Sequence, residues 1–241
     1  MDKKTIIGIA ASLFLLVLFF NKVLINPENA ATINADLLRM TSVWENQINE
    51  NLEKNNELIL WNSDVYSGTP FIGSPLTTMF YPLSFLFYFL PFHKVIAYVI
   101  VLNVLLMSIF FYLYLRLIKL SKFSSFFATI VFSFSGMVML WSGIMSFINA
   151  LMWFPLLLYL LERLILEKRL VFGLLMGLFF GFQILGGGPQ IFLYSTFVLF
   201  LYLILRLIYE REHMTKVVGF FAVAGILGVL IGSVQLLPML E

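Results

Sequence analysis

The chain has 241 residues, 61% of them hydrophobic, 17% aromatic and only 12% charged, with a formal net charge of +2. A soluble domain carries about 25% charged residues, so this composition belongs in a lipid bilayer. Cysteine is absent, which excludes disulfides and thiolate chemistry. Two histidines leave little for a transition-metal site, and no basic patch supports nucleic-acid recognition.

Asp2, Lys3 and Lys4 precede an apolar run over 5–20. That run exceeds the roughly 7–15 residues of a signal-peptide core, and no small-x-small cleavage motif follows it. It predicts an uncleaved first span over 5–25, interrupted by Asn21 and Lys22, with Lys22 snorkelling toward the surface. Residues 27–94 then form the only long hydrophilic stretch. Asn34 or Asp36 is placed to cap a helix over 37–57. In that helix Leu37, Met40, Val43, Trp44, Ile48 and Leu52 recur mostly at spacings of three and four, among polar neighbours. The pattern is amphipathic and too polar to span, so the helix lies along the membrane surface or packs over the spans. From Trp61 to Pro75, two glycines and two prolines mark a chain of turns with aromatic and polar residues interleaved. This is either the rim of a site or an interfacial anchor, since Trp and Tyr favour that depth. Residues 79–90 are apolar, broken by Pro82 and closed by Pro91. They are too short to span and predict a re-entrant or interfacial helix.

Further spans are predicted over 95–117, 123–141, 150–164, 171–185, 191–208 and 217–237. Residues 143–149 are read as a short outer turn, with the fourth span beginning there or a turn earlier, near Ile144. The Gly186-Gly187-Gly188-Pro189 run breaks the helix between the fifth and sixth spans. The fold class is therefore all-α and polytopic, with about seven spans and a long first extracytoplasmic loop. Its organisation is a first transmembrane helix over 1–26, the loop over 27–94 and a helical bundle over 95–241. With the N-terminus in the cytoplasm, alternation puts Lys3, Lys4, Arg116, Lys119, Lys122, Arg163, Lys168, Arg169, Arg206, Arg211 and Lys216 inside. Lys22, Arg39, Lys54 and Lys94 fall outside. Every short inner loop then follows the positive-inside tendency, and the acidic 27–94 segment is extracytoplasmic. Gly173, Gly177 and Gly181 lie four apart on one face, and Gly225, Gly228 and Gly232 form a similar one; both predict close helix packing.

Candidate site residues concentrate in the loop. Asp36 is either a helix N-cap or a general base at a partly dry interface. Asp64 is either an Asx-turn residue or a second carboxylate that meets a polar substrate. Together the two offer oxygen ligands of the kind that suit Mg²⁺, Mn²⁺ or Ca²⁺, although no spacing specifies a metal. Gln190, after the glycines, is either in a plain helix-breaking loop or beside a ligand admitted close to the backbone. Asn149, Gln183 and Gln235 are read by default as interhelical hydrogen-bonding residues. The charges avoid the span interiors, which argues against ion-coupled transport.

Several fragments, in order, carry a family resemblance: Asp36-Leu37, Trp61-Asn62 through Gly68-Thr69-Pro70, Tyr81-Pro82-Leu83, Phe134-Ser135-Gly136, Trp153-x-Pro155-Leu156, Gly187-Gly188-Pro189-Gln190 and Gln235-x-x-Pro238-x-x-Glu241. With them the chain resembles the amino-terminal part of the YfhO-like bacterial membrane proteins, which are similar to the GT-C class of membrane glycosyltransferases. The resemblance implies a polytopic cell-membrane enzyme that transfers a sugar from a polyprenyl-phosphate donor to a cell-envelope acceptor. It implies Asp36 as the essential acid of the first outer loop, with Asp64 as a second candidate. Arg39 and Lys94 are the outer cations placed to neutralise the departing phosphate, or else solvated interfacial charges. Trp61, Asn62, Asn149 and Gln190 complete the candidate substrate-binding set, and Mg or Mn is the candidate cofactor. Family members are usually longer, so the sequence is expected to be either whole or the front of something larger. The alternatives are a transporter or flippase module for a lipid-linked substrate, and a non-catalytic partner of another membrane protein.

Overall fold

A computed structural model describes residues 3–27, 47, 59–62, 67–74, 77–90, 92–209 and 214–239. Asp36, Arg39 and Asp64 lie outside the described residues, as does the amphipathic helix expected over 37–57 apart from Gln47, which is helical.

The chain is essentially all-α. The segment expected as the first span is a helix over Lys3–Phe19 (α1) followed, after a break at Phe20, by a short helix over Asn21–Ile25 (α2). Beyond the loop come Phe92–Leu117 (α3), Lys122–Ser133 (α4), Gly136–Trp141 (α5), Met145–Leu151 (α6), Trp153–Glu167 (α7), Leu170–Leu185 (α8), Pro189–Tyr209 (α9) and Met214–Met239 (α10). Four stretches are long and apolar enough to cross a membrane: Lys94–Leu117, Met145–Glu167, Pro189–Tyr209 and Thr215–Met239. Shorter apolar helices cover Ile6–Phe19, Lys122–Ser133 and Leu170–Leu185. At 1.5 Å per residue, α8 is about 24 Å long, short of the ~30 Å hydrocarbon core. The chain is a polytopic membrane protein.

Two boundaries differ from the sequence reading. The segment expected as one span over 123–141 is two helices. The first ends at Ser133 with Phe134 as its C-cap, and Ser135 caps the second, its hydroxyl accepting from the Val138 amide at 3.4 Å. The expected turn over 143–149 is largely α6, so the earlier start near Ile144 is the one that holds. The turn shrinks because the apolar run continues without a breaker until Pro155.

Helix α7 is the central post. Its buried residues, including Leu156, Leu157, Leu160, Leu161, Leu164 and Ile165, surround the axis on nearly all sides, the pattern of a helix packed in a core. Helices α3 and α8 flank it, and α1 closes the bundle against α3 and α4. The most extensively packed pair is α8 with α10. A Cβ on Gly173 would lie 2.8 Å from the Phe220 carbonyl oxygen, and one on Gly228 would lie 2.6 Å from Phe180 Cβ. Glycine at these positions lets the two helices approach more closely than any side chain would permit. Gly225 is different: a Cβ there meets nothing within 4 Å, so it does not belong to that seam.

The described part of the loop folds back onto the bundle. Trp61–Asn62 (β1) pairs antiparallel with Thr69–Pro70 (β2), and the Trp61 ring lies over Gly68, whose φ of 116° requires glycine. Gly73 then sits against the Pro238 backbone at the end of α10. Pro82–Tyr88 is a 3₁₀ helix, with Leu83, Leu86 and Phe87 packed against Val95, Ile96, Val99 and Ile100 of α3.

The glycine seam predicts that Gly181→Val, which would drive a side chain into Ile231, lowers stability in detergent by about 1–3 kcal/mol. Gly225→Ala should be neutral or stabilising by up to about 1 kcal/mol. Equilibrium unfolding of both variants checks the contrast.

Candidate functional site

The folded-back segment reaches deep. Asn103 stands eleven residues into α3, about 16 Å along its axis. The hydroxyl of Tyr81, a residue with no exposed surface, lies 3.3 Å from Asn103 Oδ1. The segment that leads into the 3₁₀ helix is therefore seated within the bundle through Tyr81.

A proline sets up what Tyr81 meets. Pro155 has no N–H to donate to the carbonyl of Leu151, although helical dihedrals continue through Met152, at φ −53° and ψ −36°, between α6 and α7. Side-chain donors reach the two carbonyls that precede Leu151. Tyr81 Oη lies 3.4 Å from the Asn149 carbonyl, and Gln183 Nε2 donates to the Ala150 carbonyl at 3.0 Å. Asn103 Nδ2 donates to Asn149 Oδ1 at 2.8 Å, and Ser195 Oγ donates to Gln183 Oε1 at 3.0 Å. The result is a polar layer running across α3, α6, α8 and α9, with Tyr81 plugged in from the loop. Burial pushes the Tyr81 hydroxyl far above the ordinary phenol range, and the neighbouring Trp153 offsets only part of that. Tyr81 is thus a neutral donor at any working pH. Two further donors in this region, Asn149 Nδ2 and Trp153 Nε1, are buried without a hydrogen-bond partner. The Trp153 indole faces the Tyr81 hydroxyl in a geometry short of a bond, while its ring stacks between Phe110 and Phe179.

The expected site residues fall in different places. Asn149 is fully buried within this layer. Asn62 is buried in the ribbon, whereas Trp61 is 60% exposed. Lys94 is exposed in the first turn of α3. Gln190 is exposed, and its amide donates to Tyr194 Oη one turn on, at 2.8 Å. The glycines before it admit a helix: a Cβ on Gly188 would lie 2.8 Å from both Ala150 Cβ and the Ser146 carbonyl. Among the described residues no group of three His, Asp or Glu side chains is arranged to hold a metal ion. Asp36 and Asp64, the candidate ligands, lie outside them.

One expectation is corrected. The charges do not all avoid the span interiors, because Glu162 is buried on α7 within the Met145–Glu167 stretch. Arg206 Nη2 donates to Glu162 Oε1 at 2.9 Å and Tyr202 Oη to Oε2 at 2.7 Å. The carboxylate is compensated by an arginine and a phenol from α9, which is how a charge is tolerated at that depth. The sequence signal was an acid and a base on two neighbouring spans. For the polar layer it was Asn103, a lone amide in the middle of an apolar run.

Fold and polar layer together define a polytopic membrane protein with a loop segment seated in its bundle. The model of the family described as bacterial membrane protein YfhO matches residues 6–241, nearly the whole sequence, and the chain belongs to that family. Searches of curated proteins and of solved structures returned no match.

The ion pair gives a direct expectation. Arg206→Ala leaves Glu162 uncompensated and should lower stability by about 3 kcal/mol, the low end for a buried pair because the arginine is partly exposed. Adding Glu162→Gln should recover most of that loss in the same unfolding measurement.

Proposed function

We propose that this protein is a GT-C-like membrane glycosyltransferase, moving a sugar from a polyprenyl-phosphate donor to a cell-envelope acceptor on the extracytoplasmic side. The observation that carries this reading is family membership over 6–241. The seating of the loop, anchored by Tyr81, adds support: it holds the segment that follows Asp36 and Asp64 in sequence against the bundle.

In this reading seven segments cross the membrane, with the N-terminus in the cytoplasm and 27–94 outside. Asp36 accepts the proton of an acceptor hydroxyl as its oxygen attacks the anomeric carbon. The anomeric carbon–oxygen bond to the donor phosphate breaks with inversion, and polyprenyl phosphate leaves. Arg39 and Lys94 oppose the charge that develops on that phosphate; the exposure of Lys94 at the loop end of α3 suits this role. Asp64 is the second carboxylate and, with Asp36, the candidate holder of Mg²⁺ or Mn²⁺. Trp61, with 60% of its surface free, offers a face for a sugar ring, and Asn62 and Gln190 offer amides. Asn149 serves by holding the layer together through its Oδ1, with its Nδ2 donors still without a partner.

A flippase-type module for a lipid-linked substrate is the second reading. The helix break between α4 and α5 and a buried acid favour it. Against it, Glu162 is tied to Arg206 and Tyr202 and, among the described residues, faces no open path. A non-catalytic role beside another membrane protein is the remaining alternative.

The test is Asp36→Asn in purified protein given a polyprenyl-phosphate sugar and an acceptor. Transfer should fall about 100-fold or more, with donor binding and folding retained. Undiminished transfer would remove Asp36 as the base. Donor movement between leaflets without any transfer by the unaltered protein would favour the flippase reading.

A further inference from the structure

Gln235, one turn before the end of α10, is 4% exposed, and its Oε1 is buried with no hydrogen-bond partner. It lines a cleft of about 300 Å³, counting space open to the surroundings, with Ile184, Pro189, Phe192, Leu236 and Met239. The cleft lies where the end of α8, the start of α9 and the end of α10 converge. This is the end of the bundle that carries the folded-back loop, because Gly73 rests against Pro238.

The surroundings indicate the occupant. Helices α9 and α10 turn apolar side chains outward beside the cleft, with Leu193 and Leu237 each 64% exposed. These are surfaces for hydrocarbon. Most of that volume is open to the surroundings; the enclosed part, about 40 Å³, has room for a hydroxyl-sized group, and a hydrocarbon chain would lie along the open side. A bare amide oxygen in an apolar wall calls for a neutral donor. Among the described residues no charged side chain lines the cleft, so neither a phosphate nor an ammonium would find a counter-charge there.

We propose that this cleft binds a lipid alcohol: a molecule whose hydrocarbon chain lies on Ile184, Phe192 and Leu236 and whose free hydroxyl donates to Gln235 Oε1. Diacylglycerols and long-chain prenols share this chemistry. The site is separate from the proposed donor site around Asp36 and stands whether or not Asp36 is the base.

The experiment uses the purified full chain in phosphatidylcholine vesicles containing a diacylglycerol with a photoactivatable acyl chain. Labelled peptides should include Ile184, Phe192 or Leu236, and Gln235→Leu should cut that labelling at least fivefold. On the unaltered protein, dodecanol and a long-chain prenol should compete, and dodecyl methyl ether, which has no donor, should not. Preference for one of the two alcohols would identify the source. Labelling unaffected by Gln235→Leu together with equal competition by the ether would mean ordinary boundary lipid and overturn the proposal. Cross-links from the cleft to a second protein copy, in place of lipid labelling, would overturn it as well.

Discussion

The bundle depends on what happens to backbone carbonyls around a proline within an apolar stretch. In hydrocarbon a carbonyl without a donor costs several kcal/mol, because no water replaces the missing partner. Pro155 removes the donor that would serve the Leu151 carbonyl, and side chains from other elements bond the two carbonyls before it. Gln183 from α8 serves Ala150, and Tyr81 from the loop reaches Asn149. Each bond is worth only about 0.6–2 kcal/mol in a membrane. Their joint effect is positional: they fix α3, α6, α8, α9 and the loop segment in one register.

The same economy governs the other end of α7. Glu162 would be expensive in isolation, and Arg206 and Tyr202 compensate it from a single neighbouring helix. Helix α9 buries only a narrow stripe of Ile191, Ser195, Leu199 and Leu203. Polar contacts through Ser195 and Arg206 therefore do much to tie it to the bundle. Helix α10 is held in a different way, by glycines that bring backbones together over a long seam with α8. Dispersion does there what hydrogen bonds do for α9. Between these two loosely and tightly held helices lies the cleft beside Gln235.

Much of the architecture was legible in the sequence because apolar runs in a membrane protein are long and unambiguous. The helix break at Gly186 to Pro189 and the glycine face on α8 both followed from local chemistry. The break at Ser135 was less visible, since a serine within an apolar run reads equally well as a packed helix residue until its cap is seen. Glu162 carries no distinctive local signal, because Arg163 and Glu167 adjoin it near the end of the helix. Its true partner is forty-four positions away. Asn149 was picked out as polar and buried, but its partners Tyr81 and Asn103 come from elements that only the tertiary fold brings together. The acids proposed for chemistry, Asp36 and Asp64, rest on sequence and family resemblance alone.

The seating of the loop in the bundle is the claim on which the proposed function leans, since it holds the loop against one end of the helices. A double-mutant cycle between Tyr81→Phe and Asn103→Leu, read by equilibrium unfolding in detergent, tests it most directly. A seated Tyr81 predicts a coupling of about 0.5–1.5 kcal/mol between the two substitutions. Strictly additive effects would mean that the hydroxyl does not reach Asn103 and that the segment lies outside the bundle.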